Sequence, residues 1–554
     1  MPEIKNRSLW AFIIGAVSGA LVFILIFGVS VIVPTNTDWL FAYVGDATQH
    51  QLGWEFYRNS PVTFPVCLTD GLSCEGAVSC LYSDSIPLFA MIFKAISPVL
   101  PDNFQYFGIW GVMCFALNGG FGALLLYRIK PDILFASAGS LFYSMFPPTA
   151  DRIMHHNSLG AIWLIIIPLI LCLDRNKEYK HKFTYPLLWS LNCGLAAAIH
   201  PYFLPMIFTV MAGFAILSVF RDKQLKKAVT VTVSSAAASV LTLFVTGAFY
   251  GSGSYADGGF GLYSSNLNTF FNGMGHSSFL KDLPSFDGQG EGFGYIGLGA
   301  IICCIIAVAA VIVHISRQEG SFRHNAASLI KRYKVEIIAF IIVFAVSFFW
   351  AVSDRITLNR TVIIDLPMPY LVRGALSVFR ASGRFIWLAG ILLTTAALAG
   401  VSKLGKKTAI IAAVLCIAVQ ALDLRDWYSA QHDQFAFQPE YEFALKDEKW
   451  DELTADSDEI IFLPMAERYG LYMDMYFDFA QLAEKKHMSL SSFYLARLDF
   501  DAVSQYAQKE YTALKNGKGR KDVLYVFFNK EEAVPETDSV SVYEIDGYTV
   551  AKVK

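Results

Sequence analysis

The sequence predicts a polytopic α-helical membrane protein followed by a small α/β domain. Three observations carry this. Of 554 residues, 55% are hydrophobic and 16% charged, with a mean hydropathy of +0.44, whereas soluble domains carry about 25% charge. Apolar runs near the roughly 20 residues that a helical crossing needs recur through residue 424. The net charge of −3 also divides unevenly. Residues 1–424 hold 29 Lys and Arg against 22 Asp and Glu, and residues 425–554 hold 15 against 25. A slightly basic membrane body (1–424) is thus followed by an acidic soluble domain (425–554). This composition excludes a cytosolic enzyme, a nucleic-acid binder and a disordered chain.

Taken in order, the apolar runs are 9–33, 103–127, 131–148, 158–173, 184–200, 202–220, 228–250, 295–315, 335–352, 385–402 and 408–424, so about 11 spans are expected. Pro201 and Pro205 break the long stretch 184–220 into two. The run 85–100 is short and holds Lys94, Pro87 and Pro98, and is read as interfacial or re-entrant. Charge supports that choice. With the N-terminus cytoplasmic, 20 basic residues fall in inner segments and 9 in outer ones, as the positive-inside rule requires. One more crossing at 85–100 would reverse every later loop. The odd count places the C-terminal domain outside. The first apolar run is longer than a signal-peptide core of about 7–15 residues and is expected to stay as an anchor.

The tail has a different grammar. Glu459–Pro464 and Asp522–Phe528 read as buried strands, Tyr472–Lys486 and Asp499–Lys515 as helices, and Ser541–Ile545 with Thr549–Val553 as a hairpin over Asp546-Gly547. It contains no Gly-rich phosphate loop.

Chemistry is expected in the outer segments. The long outer loop 34–102 carries Gly45-Asp46-Ala-Thr-Gln49-His50, then Gly53-Trp54, and later Tyr82-Ser-Asp84-Ser-Ile-Pro87. A carboxylate just beyond a span can be partly desolvated and tuned as a general base. Asp46 opens no evident capping box and is the catalytic candidate. Asp84, ahead of Ser85-Ile86-Pro87, reads first as a helix N-cap and second as a substrate-binding acid. The short segment 149–157 packs Asp151, Arg152, His155, His156 and Asn157 together. Adjacent histidines point apart, so one His donating to substrate fits better than a shared metal. His200, before Pro201, reads as a satisfied buried histidine. Loop 251–294 is rich in Gly, Ser and Asn. Loop 353–384 carries Arg355, Arg360, Arg373, Arg380 and Arg384 on the face that should avoid them. Arginine's planar fork suits phosphate oxygens, and snorkelling at the interface is the alternative.

Of nine cysteines, Cys67, Cys74 and Cys80 lie in loop 34–102 and the other six in apolar runs. One disulfide among the three would leave one thiol free, and the pairing is open. Their spacing is not that of a zinc site.

The stretches Gly45-Asp46-x-x-Gln49-His50-x-x-Gly53-Trp54, Tyr82-Ser-Asp-Ser-Ile-Pro87 and Ser382-Gly-Arg-Phe385, set on many spans, resemble a bacterial branch of the GT-C superfamily of membrane glycosyltransferases. The resemblance implies a polyprenyl-phosphate sugar donor and an extracytoplasmic glycan, lipid or protein acceptor. It casts Asp46 as base. Gln49, His50, Asp84, Asp151, Arg152 and His155 become substrate-binding residues, and Arg380 or Arg384 the lipid-phosphate ligand. The 85–100 element would be the interfacial helix of the first outer loop. Many members place two acids close together in that loop; here Asp46 stands alone. Asp46, Asp84 and Asp151 can also be imagined holding Mg²⁺ or Mn²⁺ through oxygen. Two rival readings stand beside this one. A flippase for a lipid-linked sugar would show polar residues in mid-span and internal repeats. A non-catalytic assembly protein would work through its acidic tail.

Overall fold

The computed structural model describes residues 2–43, 45–251, 259–464 and 472–554. Part of the Gly-rich loop 251–294 lies outside the described residues. The chain forms two compact units. One comprises Met1–Val33, Tyr106–Val240 and Asp257–Phe437. The other comprises Pro34–Gln105, Leu241–Ala256 and Gln438–Lys554.

The first unit is helical. Among the described residues, seven helices are long and apolar enough to cross a membrane: 6–27, 107–129, 203–221, 225–245, 298–316, 334–352 and 382–401. An eighth is made by Lys406–Asp423 and Arg425–Ala436 if that pair, bent by 58°, is one span. The protein is therefore a multi-pass membrane protein. The remaining three predicted runs are helices of 12, 11 and 16 residues, Ile133–Ser144, Trp163–Leu173 and Thr184–Ile199. At 1.5 Å per residue these fall short of a hydrocarbon core of about 30 Å. The shortening has local causes. Pro147 and Pro148 end one run by starting a new short helix, and the next opens as a tight turn over Asn157–Gly160.

Small residues set the closest crossing in this unit. A Cβ on Gly15 or Gly119 would collide with the other's carbonyl oxygen, and one on Gly19 with the carbonyl of Phe115. Helices Pro2–Phe27 and Phe107–Ile129 thus touch backbone to backbone. The charged helix ends are also paired. Arg128 meets Asp174 at 2.9 Å, Arg175 meets Asp222 at 2.8 Å, Arg221 meets Glu336 at 3.3 Å, and Lys406 meets Asp132 at 2.8 Å. These pairs gather the basic segments of several helices on one side.

The second unit is built on a five-stranded mixed sheet. Strand Glu459–Leu463 pairs in parallel with Ser489–Leu490 on one side and Val523–Phe527 on the other. Strand Tyr548–Val553 then runs antiparallel to Val523–Phe527, and Val540–Ile545 closes the edge. The two central strands are buried at every position, as parallel strands covered on both faces require. Helices Met473–Lys486 and Phe500–Lys515 lie where the apolar spacing predicts them, the second capped by Asp499, whose carboxylate accepts from the Ala502 amide at 3.0 Å.

Residues 34–105 belong to this same unit. Helix Asp46–Asn59 is followed by the short strands Leu68–Thr69 and Val78–Ser79, then by helix Pro87–Ala95. The last is only 9 residues long, too short to span a bilayer. The Leu490 amide donates to Gly71 O at 2.8 Å and the Ala496 amide to Tyr82 O at 2.7 Å. The loop is therefore hydrogen-bonded to the C-terminal sheet domain.

Candidate functional site

Asp46 is the first residue of helix Asp46–Asn59, with Gly45 extended ahead of it. The N-cap is Gly45, with no side-chain cap bond, and the acid sits in the first helical turn, where the helix dipole favours its charge. One turn on, Gln49 donates to Tyr494 O, and His50 is buried.

The two polar clusters of the first long loop meet on this helix. A Cβ at Gly53 would strike Ser83 and Ser85, so only glycine lets residues 83–85 lie on that face. Ser83 and Ser85 share a hydrogen bond of 2.8 Å, and Ser85 donates to His50 O at 2.9 Å. Asp84 then faces His50, with Oδ2 4.0 Å from Nε2. Asp84 is not the N-cap of the following helix. That position is Ile86, which makes no side-chain cap bond. Asp84 and Ile86 have φ of 54° and 50°, left-handed values that cost of order 1–3 kcal/mol each and cluster at functional sites. A β-branched residue there is a genuine outlier.

A second set of charges lies in the helical unit, around a residue that sequence reasoning missed. Glu291, in Gln289–Gly292, accepts from Arg384 Nε and meets Arg384 Nη2, each at 2.8 Å. Its other oxygen lies 3.2 Å from Arg152 Nη1 and 3.9 Å from His156 Nε2. Arg152 Nη2 donates to Gly290 O at 2.8 Å, and its Nε lies 3.2 Å from Asp151. The other Asp151 oxygen is 3.5 Å from His276 Nε2, and the His276 ring stacks on Trp427 at 4.0 Å. Asp151 is thus engaged with Arg152 and His276, which disfavours it as a metal ligand. His155 lies near Asp151 and helps to lower its carboxyl, while its ring packs edge-on against Phe435 at 6.4 Å; its neighbour His156 faces Glu291.

Burial alone would raise the Glu291 carboxyl, but Arg384 and Arg152 outweigh it and hold it down at about 2. Burial likewise works against Asp151, and Arg152 and His276 win, leaving it below the ordinary carboxylate range. Three guanidiniums, counting the exposed Arg380 that also lowers Glu291, face two carboxylates. The set keeps a positive excess.

Arg384 also lies over the Tyr202 ring at 5.0 Å, a cation–π contact. Tyr202 accepts from the Ala381 amide at 3.0 Å and packs edge-on against Phe379 at 5.1 Å. Phe379 in turn lines an apolar cleft of about 420 Å³ with Leu204, Phe208, Ile342, Val346 and Trp350. The cationic set and the apolar cleft are thus joined through Tyr202 and Phe379. His200 is buried, as expected, with Nδ1 accepting from the Tyr202 amide at 3.2 Å.

A family model described as Domain of unknown function (DUF6311) matches residues 16–425, and the DUF6311 C-terminal domain matches residues 449–553. The chain belongs to the DUF6311 family. The DUF6311 match contains both the Asp46–Asp84 segment and the Arg152–Glu291–Arg384 set. A search of curated proteins finds no match to the chain.

Proposed function

We propose that this chain is a membrane glycosyltransferase that moves a sugar from a polyprenyl-phosphate carrier to an extracytoplasmic glycan, lipid or protein. The observation that carries the reading is the junction of guanidiniums with an apolar cleft: Arg384 over Tyr202, Tyr202 against Phe379, Phe379 lining the cleft. A positive group beside an apolar slot suits an amphiphile with an anionic head and a long apolar chain.

In this reading the acceptor hydroxyl oxygen attacks the anomeric carbon as the bond from that carbon to the phosphate oxygen breaks. Its proton passes to the Asp46 carboxylate, and the lipid phosphate leaves with the bonding electrons. One displacement inverts the anomeric centre. Arg384, Arg380 and Arg152 stabilise the departing phosphate, a role worth a few kcal/mol in a site shielded from water. Gln49, His50, Asp84, Asp151 and His155 bind substrate, and His156 beside Glu291 joins them. His50 with Asp84 offers one nitrogen and one carboxylate, a donor pair that fits Mn²⁺ better than Mg²⁺. The proposal keeps a cytoplasmic N-terminus and an extracytoplasmic C-terminal domain.

The test uses full-length protein in nanodiscs, wild type beside Asp46→Asn and Arg384→Gln, with a panel of polyprenyl-phosphate sugars and membrane extract as acceptor. Release of free lipid phosphate by the wild type, lost in both variants, is the expected result. Tight donor binding without release would favour a flippase instead. Neither binding nor release would leave a non-catalytic role for the acidic tail.

A further inference from the structure

The hairpin of the 34–105 segment resolves the question of the three cysteines. Its two short strands pair Leu68 with Ser79 and Thr69 with Val78. The next facing pair in that register is Cys67 with Cys80. The Cys80 amide donates to Cys67 O at 2.8 Å, so the ladder continues through this pair, and their side chains are in hydrogen-bond contact, thiol to thiol. Both are buried, at 0% and 1% exposure. Facing residues in such a pair have Cα atoms about 5.5 Å apart, inside the roughly 4.4–6.8 Å that a disulfide spans.

Cys74 is placed elsewhere. It lies at the far end of the hairpin, where its amide donates to Ser491 O at 3.0 Å. Its charged neighbours are Glu75 and Glu459. Burial first, and these two carboxylates next, push its thiol up to about 12.

We infer that Cys67 and Cys80 form a disulfide that closes the base of this hairpin, and that Cys74 remains a thiol. The two S–H bonds are lost and one S–S bond forms. The two electrons and the two protons pass to the disulfide of a more oxidising thiol–disulfide oxidoreductase, which leaves as a dithiol. Because both sulfurs are buried in the folded chain, exchange takes place while the hairpin is still exposed, and burial then shields the bond. Such a bond belongs to an oxidising compartment. Its presence thus bears on which side of the membrane the 34–105 segment occupies, and it does not depend on the proposed enzymatic activity.

The bond ties down a working part of the fold. Between the two cysteines, Gly71 O accepts from the Leu490 amide, and the Cys74 amide donates to Ser491 O. The hairpin therefore clips the edge strand Ser489–Leu490 of the sheet.

The experiment uses the full chain expressed in a bacterial inner membrane, acid-quenched at harvest, denatured, and labelled with N-ethylmaleimide before and after a phosphine reductant. Seven of the nine cysteines are expected to label at once and two only after reduction. Peptide mapping should recover a linked pair containing Cys67 and Cys80. Cys74→Ser should leave that pattern intact, and Cys67→Ser should make Cys80 label without reductant. Immediate labelling of all nine cysteines, or a linked peptide containing Cys74, would overturn the inference.

Discussion

Glu291 holds Arg384 through a single carboxylate oxygen: Oε2 lies 2.8 Å from both Nε and Nη2. Its other oxygen is shared with Arg152 at 3.2 Å. One acid thus fixes two guanidiniums, and removing it leaves two cations largely buried and crowded. Glu291→Gln should lower stability by roughly 3–5 kcal/mol at pH 7, the usual cost of breaking a buried pair. The sign of the pH dependence follows from the depressed carboxyl, at about 2 against an ordinary 4.5. Stability owed to ionised Glu291 is fully present above about pH 4.5 and lost as pH falls toward 2. The gap in melting temperature between wild type and variant should narrow from pH 6 to pH 3. A gap that widens on acidification would contradict the assignment.

Arg384 presents both Nε and Nη2 to that oxygen while its face lies on Tyr202. Lysine keeps the charge but has neither the fork nor the plane. Arg384→Lys should reduce lipid-phosphate release about 10–100-fold, and Arg384→Gln by 10²–10³-fold, the range for loss of one strong electrostatic donor. Arg380→Gln should cost less than Arg384→Gln, because Arg380 is exposed and lowers the Glu291 carboxyl less than Arg384 does. Equal losses for the two arginines would count against Arg384 as the phosphate ligand.

These residues also show what was legible in the sequence. Strands Glu459–Leu463 and Val523–Phe527 were readable because both faces are covered, so their apolar runs are unbroken. The clusters around Gln49-His50 and Ser83-Asp84 were readable as polar islands, and Gly53 explains why they meet. Glu291 was hidden because a lone acid in a Gly-rich loop has no periodicity, and its arginines come from distant segments. The choice between His155 and His156 is one residue of backbone direction, which only tertiary packing decides. The span count ran high for a related reason. Hydropathy measures how apolar a run is, and not where Pro147-Pro148 restarts the helix inside it.

Gly119 provides a test of the helical packing alone. Its Cα side faces the Gly15 carbonyl and Ser144, with no room for a methyl group. Gly119→Ala must push helices Pro2–Phe27 and Phe107–Ile129 apart, at a cost of about 1–3 kcal/mol for overpacking. Gly374, in helix Tyr370–Ser377, has nothing within 4 Å of the corresponding position. Gly374→Ala should be neutral or stabilising by up to about 1 kcal/mol, since it restricts the unfolded chain. Thermal unfolding in detergent compares the two directly. A Gly119→Ala protein as stable as wild type would show that the two backbones are not in contact.

Glu55 carries the opposite pH signature, and it does so in the sheet-containing unit. It accepts from Gln51 at 2.8 Å on helix Asp46–Asn59. Burial, and then the nearby Glu484 carboxylate, push its carboxyl up to about 8, against smaller opposing effects from Gln51, Lys485 and Arg58. Glu484 is itself raised by burial and accepts from Asn59 at 2.9 Å. Glu55 is therefore protonated in the folded protein at neutral pH and ionised in the unfolded chain. An acid raised in this way leaves stability intact below about pH 4.5 and erodes it as pH rises toward 8, beyond which the loss is complete. Glu55→Gln keeps the amide contact with Gln51 and has no proton to lose. The variant should match the wild type near pH 5 and exceed it by roughly 1–3 kcal/mol at pH 9, the partial exposure of the pair limiting the gain. Hydrogen exchange over residues 46–59 and 473–486, read at pH-corrected rates, locates the effect. Protection that rises from pH 5 to pH 9 in the wild type would show that the two carboxylates are not crowded together.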